Sequence, residues 1–349
     1  MKKIIFTGGG TGGHIMPNIA VIENLKDKYE CKYIGSANSM EQKLITPLVP
    51  FFSVTTCKLK RSLSLSNLLI PFKLIKGILE AKKILKAEKP DLIFSKGGFV
   101  AVPVVIAAHM LKIPIIAHES DLSVGLANKL TLRYAKVVCT SFEKTSKNMK
   151  NGVWTGSPIR SNILNGNSKN INGKYYLKNN QPTLLVVGGS LGSKTVNQII
   201  YKNAEQLSEK YNILHLAGNN CDLKSNIKNY HIIASTDKIG DFYSTCDLVV
   251  TRGGSNVLFE VLAVKKPMLI IPLQKGSRGD QVENAQEFKS KNIAEVAFED
   301  DLLNNSKLFI DLIDKLISNK NFYIGNMQKL NSNGTTKIIC EIEKILKNL

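Results

Sequence analysis

The segment TGGGTGGHIMPN, Thr7 to Asn18, packs five glycines into seven positions directly after the strand-like run Lys3-Ile4-Ile5-Phe6. Glycine lacks the Cβ that keeps a backbone away from a ligand, and the first free amides of a helix attract anions, so such a turn suits close approach to a phosphate or a sugar. His14 stands at its edge as a candidate base. Gly8, Gly10 and Gly13 fit GxGxxG, but the acid that would hold a ribose about 20 residues later is missing, because KYIGSANSMEQ offers only Glu41, well into the next loop. The spacing Gly8 to Gly13 also fits GxxxxGK[ST] up to the point where His14 and Ile15 replace the lysine and the hydroxyl. Without those two groups, an NTPase phosphate loop is excluded.

Four further segments carry chemistry. HESD, His118 to Asp121, follows the run IPIIA and places a histidine and two carboxylates at a strand's C-terminal end. The His118/Glu119 pair could supply a general base or its orienting partner, while Ser120 or Asp121 could cap the next helix. GSPIR ends on Arg160, a fixed cation able to neutralise a phosphate. TRGGSNVLFE repeats the order strand, glycine turn, helix: Ser255 and Asn256 fall in the first turn, and Glu260 lies four residues after Asn256, on the same helix face. Amides and hydroxyls for a diphosphate beside a carboxylate for ribose hydroxyls would make a nucleotide site. SRGDQVENA adds Asp280 and Gln281, polar groups of the kind that read sugar hydroxyls.

These residues need a scaffold that brings strand ends together. Apolar runs alternate with helix-length segments: KKIIFT, KYIG, DLIFS, IPIIAHE and KVVCTS, then TLLVVGG, NILHLAG, HIIAS, DLVVTR and PMLIIPL. That is the pattern of an α/β protein with parallel sheets. KKIIFTGGGTGGH has a counterpart in PTLLVVGGSLGSK, so each half reads as the start of its own doubly wound sheet, and two Rossmann-like domains facing a cleft are expected, with chemistry at the strand C-termini. The Asn- and Lys-rich segment 166–181 reads as a linker or an exposed entry segment. The longest apolar run, FVAVPVVIAAHML from Phe99 to Leu111, is shorter than the roughly 20 residues that span a bilayer and reads as a buried helix. At the N-terminus, Ile4-Ile5-Phe6 is too short for the apolar region of a signal peptide, so the chain is expected not to be exported.

Six cysteines without a CxxC pair read as reduced thiols rather than a metal site or disulfide framework. The 349 residues carry a net charge of +19. Residues 1–160 hold 24 Lys+Arg against 10 Asp+Glu, and the remainder 23 against 18, so the excess belongs to the first half. A basic half suits an anionic lipid surface or substrate; no interleaved aromatic or RNA-binding motif accompanies it, so no nucleic acid is expected.

Taken together and in order, TGGGTGGHIMPN, SKGGFVAVP, HESD-x-x-x-G-x-x-N, TGSPIR, VVGGSLGS, TRGGSN-x-x-x-E and GDQ-x-x-NA resemble the bacterial peptidoglycan N-acetylglucosaminyltransferase family. The resemblance spans essentially the whole chain. It implies a GT-B fold with an acceptor- and membrane-binding domain over 1–160, a UDP-GlcNAc-binding domain over 161–334, and a last helix over 335–349 that returns to the first. The stripe Ile338, Ile342, Ile345 and Leu349 fits that helix. The implied reaction inverts the sugar's anomeric carbon, moving GlcNAc from UDP-GlcNAc to the 4-hydroxyl of MurNAc in undecaprenyl-diphospho-MurNAc-pentapeptide, lipid I to lipid II. His14, assisted by Glu119, is the preferred base, with the His118/Glu119 pair as the alternative. Thr11, Gly12, Gly13, Asp121, Arg160, Ser190, Thr236, Ser255, Asn256, Glu260, Asp280 and Gln281 fall on donor positions, Glu260 toward the ribose, Gln281 toward the GlcNAc hydroxyls and Thr236 where uracil is read through backbone. Asp121 stands where many members carry Asn, and a carboxylate cannot donate the amide's hydrogen bond; Gly253 stands where others carry Ser.

The resemblance implies no cofactor and, in the absence of an Asp-x-Asp motif, no metal. Its partners would be UDP-GlcNAc, undecaprenyl-linked lipid I, the anionic cytoplasmic membrane surface and other cell-wall synthesis proteins, with a peripheral location on the cytoplasmic face of the cell membrane. The segment 63–89 supplies Leu68, Leu69, Phe72, Ile75 and Leu79 for membrane contact, rimmed by Lys73, Lys76, Lys82, Lys83 and Lys86. A related UDP-sugar transferase acting on a diacylglycerol-type lipid keeps the fold and donor; the HESD loop and the short first domain favour the muramyl acceptor.

Overall fold

Residues 4–7 are buried on both faces, as a strand interior to a helix-covered parallel sheet must be. The computed structural model describes residues 1–57, 70–189, 192–275 and 278–348. It divides into two compact units, residues 1–160 with 333–349, and residues 161–332.

The first unit is built on β1 (Lys3–Thr7), β2 (Glu30–Ser36), β3 (Phe51–Val54), β4 (Leu92–Ser95), β5 (Ile115–Glu119), β6 (Val137–Thr140) and β7 (Gly152–Trp154). Their order is β3-β2-β1-β4-β5-β6-β7, every pair parallel. The order reverses between β1 and β4, and at such a switch point the loops leaving both strands diverge and open a crevice. The loops concerned are the first glycine run and SKGG. Helices α1 (Gly12–Leu25), α2 (Met40–Ile45), α3 (Ile70–Glu88), α4 (Ala101–Met110) and α5 (Leu126–Thr131) connect these strands. The apolar run around Val104 is indeed a buried helix, α4, whose Pro103 sits in the first turn, where a missing N–H costs nothing. The helix Thr335–Lys347 places Ile338, Ile342, Ile345 and Leu346 in the same core as Ile4, Phe6, Ile22 and Leu25. Leu349, the last residue of that stripe, lies outside the described residues.

The second unit repeats the plan with β8 (Thr183–Val187), β9 (Asn212–Leu216), β10 (Tyr230–Ile233), β11 (Leu248–Thr251), β12 (Met268–Ile270) and β13 (Glu295–Val296), in the order β10-β9-β8-β11-β12-β13, all parallel. Its switch point lies between β8 and β11, which brings Gly188 and Gly189 after β8 and TRGGSN after β11 to one end of the sheet.

The segment 166–181, a linker or exposed entry segment by composition, is largely exposed but tied down at a few points. Asn167 N–H and Asn170 Nδ2 donate to the Asp241 carboxylate at 2.7 and 2.8 Å, Ile171 is buried, and Tyr175 packs against Phe242 and His231. Asn167 and Asn170 thus tie the segment to α-helical residue Asp241, which composition alone does not reveal.

Candidate active site

In the first unit, the loop after β1 passes into α1, and Thr11 holds an extended N-cap backbone without capping the helix through its side chain. Its hydroxyl instead meets His14 Nδ1 at 3.0 Å, and the His14 N–H bonds Thr11 O at 3.0 Å. When Nδ1–H donates to Thr11, the Nε2 lone pair is left as the acceptor, the arrangement a general base needs. The two loops touch because Gly98 has no side chain: a Cβ there would stand 2.6 Å from Gly9 O and 3.1 Å from His14 Nδ1, and its φ of +80° suits glycine. Thr11 is exposed, Gly12 and Gly13 are half-buried, and nothing lies within 4 Å of the Cβ position at Gly12.

The loop after β5 departs from the expected reading. Adjacent strand residues point to opposite faces, so His118 and Glu119 do not act as a pair. His118 is fully buried, with Nε2 3.2 Å from Gly156 O and Nδ1 sealed without a hydrogen-bond partner. Burial, reinforced by the Lys96 charge, holds its pKa well below the usual histidine range. A histidine kept neutral and away from solvent is no base for a ligand, which removes the His118/Glu119 alternative. Glu119 is also buried, and it accepts from Asp121 N–H (3.1 Å), Gly125 N–H (3.2 Å) and Asn128 Nδ2 (2.7 Å). These three donors to its carboxylate all belong to the segment that follows β5. Neither Ser120 nor Asp121 caps a helix: α5 starts at Leu126 with Gly125 as N-cap, and Ser120 Oγ accepts from Lys96 Nζ at 2.6 Å. Lys96 is buried, which pushes its pKa down against the pull of the Glu119 and Asp121 charges. Asp121 itself is half-buried, as is Arg160, the last residue of this unit's first segment.

In the second unit, the glycine turn after β8 ends at Ser193, whose hydroxyl accepts from Val196 N–H and caps the helix Lys194–Lys202. Ser190 lies outside the described residues. After β11, the helix Ser255–Ala263 has Gly254 as N-cap with no side-chain cap, so its first amides are not used by a capping side chain. Ser255 is buried, and Asn256 and Glu260 are half-buried. Tyr243 Oη reaches Glu260 Oε2 at 3.5 Å. Gln281 Oε1 accepts from Leu273 N–H at 3.0 Å, which leaves its amide nitrogen as the group able to donate to a hydroxyl. Asp280 is occupied locally by Arg278, whose N–H lies 3.3 Å from Oδ1. Thr236 is half-buried, and its hydroxyl accepts from Lys238 N–H at 3.0 Å.

Sequence reasoning gave no role to three residues that hold these loops. Arg252 donates to Ser193 Oγ, to Ile271 O (3.1 Å) and to Glu299 Oε1 (2.6 Å), joining both glycine turns of the second unit. Asn128 spans Glu119 and the SKGG turn, its Oδ1 occupying the space a Cβ on Gly97 would need. Glu41, set aside as a ribose ligand, lies beneath the first glycine loop. Arg252 and Asn128 already stood inside recognised motifs; position within the motif was the available signal.

Two Rossmann-type parallel sheets with glycine loops at both switch points are the architecture of the GT-B fold, and the family matches place the chain among its glycosyltransferases. The glycosyltransferase family 28 N-terminal domain matches residues 4–140 and the family 28 C-terminal domain residues 183–342. The crystal structure of Acinetobacter baumannii MurG superposes with a TM-score of 0.76 at 23% identity, covering 99% of this chain and 100% of that one. A UDP-GlcNAc 2-epimerase from Neisseria meningitidis, bound to UDP-GlcNAc, shares the fold with a TM-score of 0.69 at 16% identity, covering 99% and 100%. A Clostridium botulinum protein named UDP-N-acetylglucosamine–N-acetylmuramyl-(pentapeptide) pyrophosphoryl-undecaprenol N-acetylglucosamine transferase is 46% identical over 353 residues, 99% of each chain. Its Clostridium tetani namesake is 43% identical over 98% of each. The chain belongs to this family of N-acetylglucosamine transferases.

Proposed function

We propose that the protein transfers GlcNAc from UDP-GlcNAc to the MurNAc 4-hydroxyl of undecaprenyl-diphospho-MurNAc-pentapeptide, completing the disaccharide of the peptidoglycan lipid precursor. The observation that carries this reading is 46% identity over 99% of both chains to relatives bearing that name. In the reaction the acceptor hydroxyl attacks C1 of GlcNAc as it loses its proton, and UDP departs with the bond electrons. His14 Nε2 takes the proton, with Thr11 holding the ring by its other nitrogen. The uncapped amides at Ser255 and the turn after Gly188 receive the diphosphate charge, and Arg160 adds a fixed cation. Glu260 binds the ribose hydroxyls and the Gln281 amide a GlcNAc hydroxyl, while Asp121, Asn256 and Asp280 complete the donor set. Glu119 acts at one remove, holding the loop of residues 120–125 in shape.

The acceptor is a lipid, and α3 supplies a face for its membrane. Phe72, Ile75 and Leu79 are 72%, 56% and 61% exposed on one stripe, while Gly77, Ala81 and Leu85 are buried on the other. Lys73, Lys76, Lys83 and Lys86 are exposed alongside. No helix among the described residues is long and apolar enough to cross a membrane; the protein binds the anionic cytoplasmic surface from one side, where other cell-wall synthesis proteins work. Leu68 and Leu69 lie outside the described residues. Transfer of labelled GlcNAc to a short-chain lipid I analogue, with diacylglycerol as the competing acceptor, tests the reading. Transfer to diacylglycerol alone, or to neither, overturns it.

A further inference from the structure

The first glycine loop looks built for a phosphate, yet the space behind it is already filled. Glu41, in the first turn of α2, is 1% exposed. Its Oε2 accepts from Gly10 N–H at 3.4 Å and its Oε1 from Ser36 N–H at 3.3 Å. Glu41 forms no ion pair among the described residues. A carboxyl group shut away from water is costly unless donors face it, and here the donors are backbone amides, the same groups a glycine-rich loop turns toward a bound phosphate. The fit is close: a Cβ on Gly9 would stand 2.6 Å from the Glu41 carboxyl carbon, and one on Gly35 3.1 Å from Glu41 Cγ.

The rest of the loop is held as tightly. Tyr33 Oη donates to Gly8 O, and Asn18 Nδ2 is placed to donate to Tyr33 Oη (2.9 Å), Thr7 O (3.2 Å) and His14 O (3.2 Å). Gly8 is therefore fixed from β2 and α1, and Gly10 from α2. Thr11, the next residue, carries the hydroxyl that meets His14.

We propose that Glu41 is a positioning residue: its carboxyl group occupies, from inside the protein, the seat a ligand anion would take under the first glycine loop, and so fixes the loop that presents His14. The loop then meets its ligand as a neutral glycine surface with a histidine at the edge, suited to a sugar hydroxyl and not to a diphosphate. Only the turnover measurement below rests on the transferase reading; the spectroscopic one does not.

The test compares Glu41→Ala, Gly9→Ala and the double variant, with the His14 ring resonances, assigned through His14→Ala, as the primary readout. Gly9 has no left-handed backbone strain, and the three atoms nearest a Cβ there all belong to the Glu41 carboxyl group. Each single substitution shifts the His14 resonances, and the double variant returns them toward the wild-type position, because removing the carboxyl group makes room for the methyl group. Formate, small enough for the vacated seat, restores them in Glu41→Ala. In transfer assays Glu41→Ala lowers kcat about tenfold, with KM for UDP-GlcNAc changed by less than about threefold. Should Glu41→Ala fail to fold, Glu41→Gln keeps the shape but turns an N–H₂ toward one of the two amides, and it shifts the same resonances. Unmoved His14 resonances in the folded Glu41 variant, or a double variant further from wild type than either single one, overturn the proposal. Wild-type protein without transfer activity overturns the functional reading and leaves the spectroscopic result to decide this one.

Discussion

Replacing Phe72, Ile75 and Leu79 together by serine should release the protein from membranes without unfolding it. The residues that anchor α3 are on its other face, where Gly77 comes so close to the residue following β3 that a Cβ would meet Thr55 O at 2.1 Å. Fully burying an aliphatic or aromatic side chain is worth about 1.5–3 kcal/mol. Scaled by exposures of 72%, 56% and 61%, the three contribute about 4 kcal/mol on entering the interface. That corresponds to about a thousandfold in partition, and to about tenfold for Ile75→Ser alone. Each exposed lysine beside the stripe adds about 1 kcal/mol against an anionic leaflet at low salt, an attraction that fades within a Debye length of about 8 Å at physiological salt. Sedimentation with phosphatidylglycerol vesicles across a salt series separates the two contributions. Salt weakens wild-type binding toward the apolar remainder, and the triple variant keeps only the salt-sensitive part. A triple variant that sediments like wild type, or wild-type binding indifferent to salt, refutes the assignment of α3 to the membrane.

Other expectations are equally direct. His14→Ala should lower kcat by about 10²- to 10⁴-fold with KM for UDP-GlcNAc nearly unchanged, whereas Glu260→Ala should raise that KM; a His14 variant that retains its kcat removes it as the base. His215 is buried between Tyr230 Oη and Asn197 Oδ1, both at 3.0 Å, and burial lowers its pKa to about 4. Below about pH 6.5 the unfolded chain takes up a proton that the folded one refuses, so stability falls as pH drops from about 6.5 toward 4, by up to about 1.4 kcal/mol per pH unit and about 3 kcal/mol in all. His118 adds to the loss in the same direction. Denaturant melts of wild type and His215→Gln at pH 7 and pH 5 read this, and equal slopes against pH would contradict it. Gly192→Ala should impair folding of the second unit or its binding of UDP, since φ is +76° and a Cβ would stand 2.1 Å from Ala217 O; a variant with unchanged melting and UDP affinity contradicts the close approach.

The central strands were legible because β1, β4, β8 and β11 are buried on both faces and so read as unbroken apolar runs. β3, β7 and β13 were not: each is short, all three stand at a sheet edge with half-exposed residues, and β13 has only two residues. The glycine loops were visible as composition, but what lies behind them was not. Glu41 sits five residues beyond the end of β2, outside the place where a ribose acid is sought, and its bond to Gly10 crosses 31 residues of chain. His118 and Glu119 were the right types for acid–base chemistry, yet strand alternation and burial decide their fate, and neither is a matter of spacing along the sequence. Asp121 reads as a departure from the family pattern; the buried Lys96 charge that acts on it becomes apparent only when β4 and β5 are side by side.

The helix Thr335–Lys347 has a consequence for how the molecule is made. Its isoleucines complete the core of the first unit, so the strands of residues 1–160 leave the ribosome lacking one wall, and that wall is synthesised only after all of residues 161–332. The second unit, continuous in sequence, can finish folding while the first still waits with apolar surface uncovered. Being translated first therefore does not let the first unit be sealed first, and the interval before its last helix arrives is when a chaperone has most to protect.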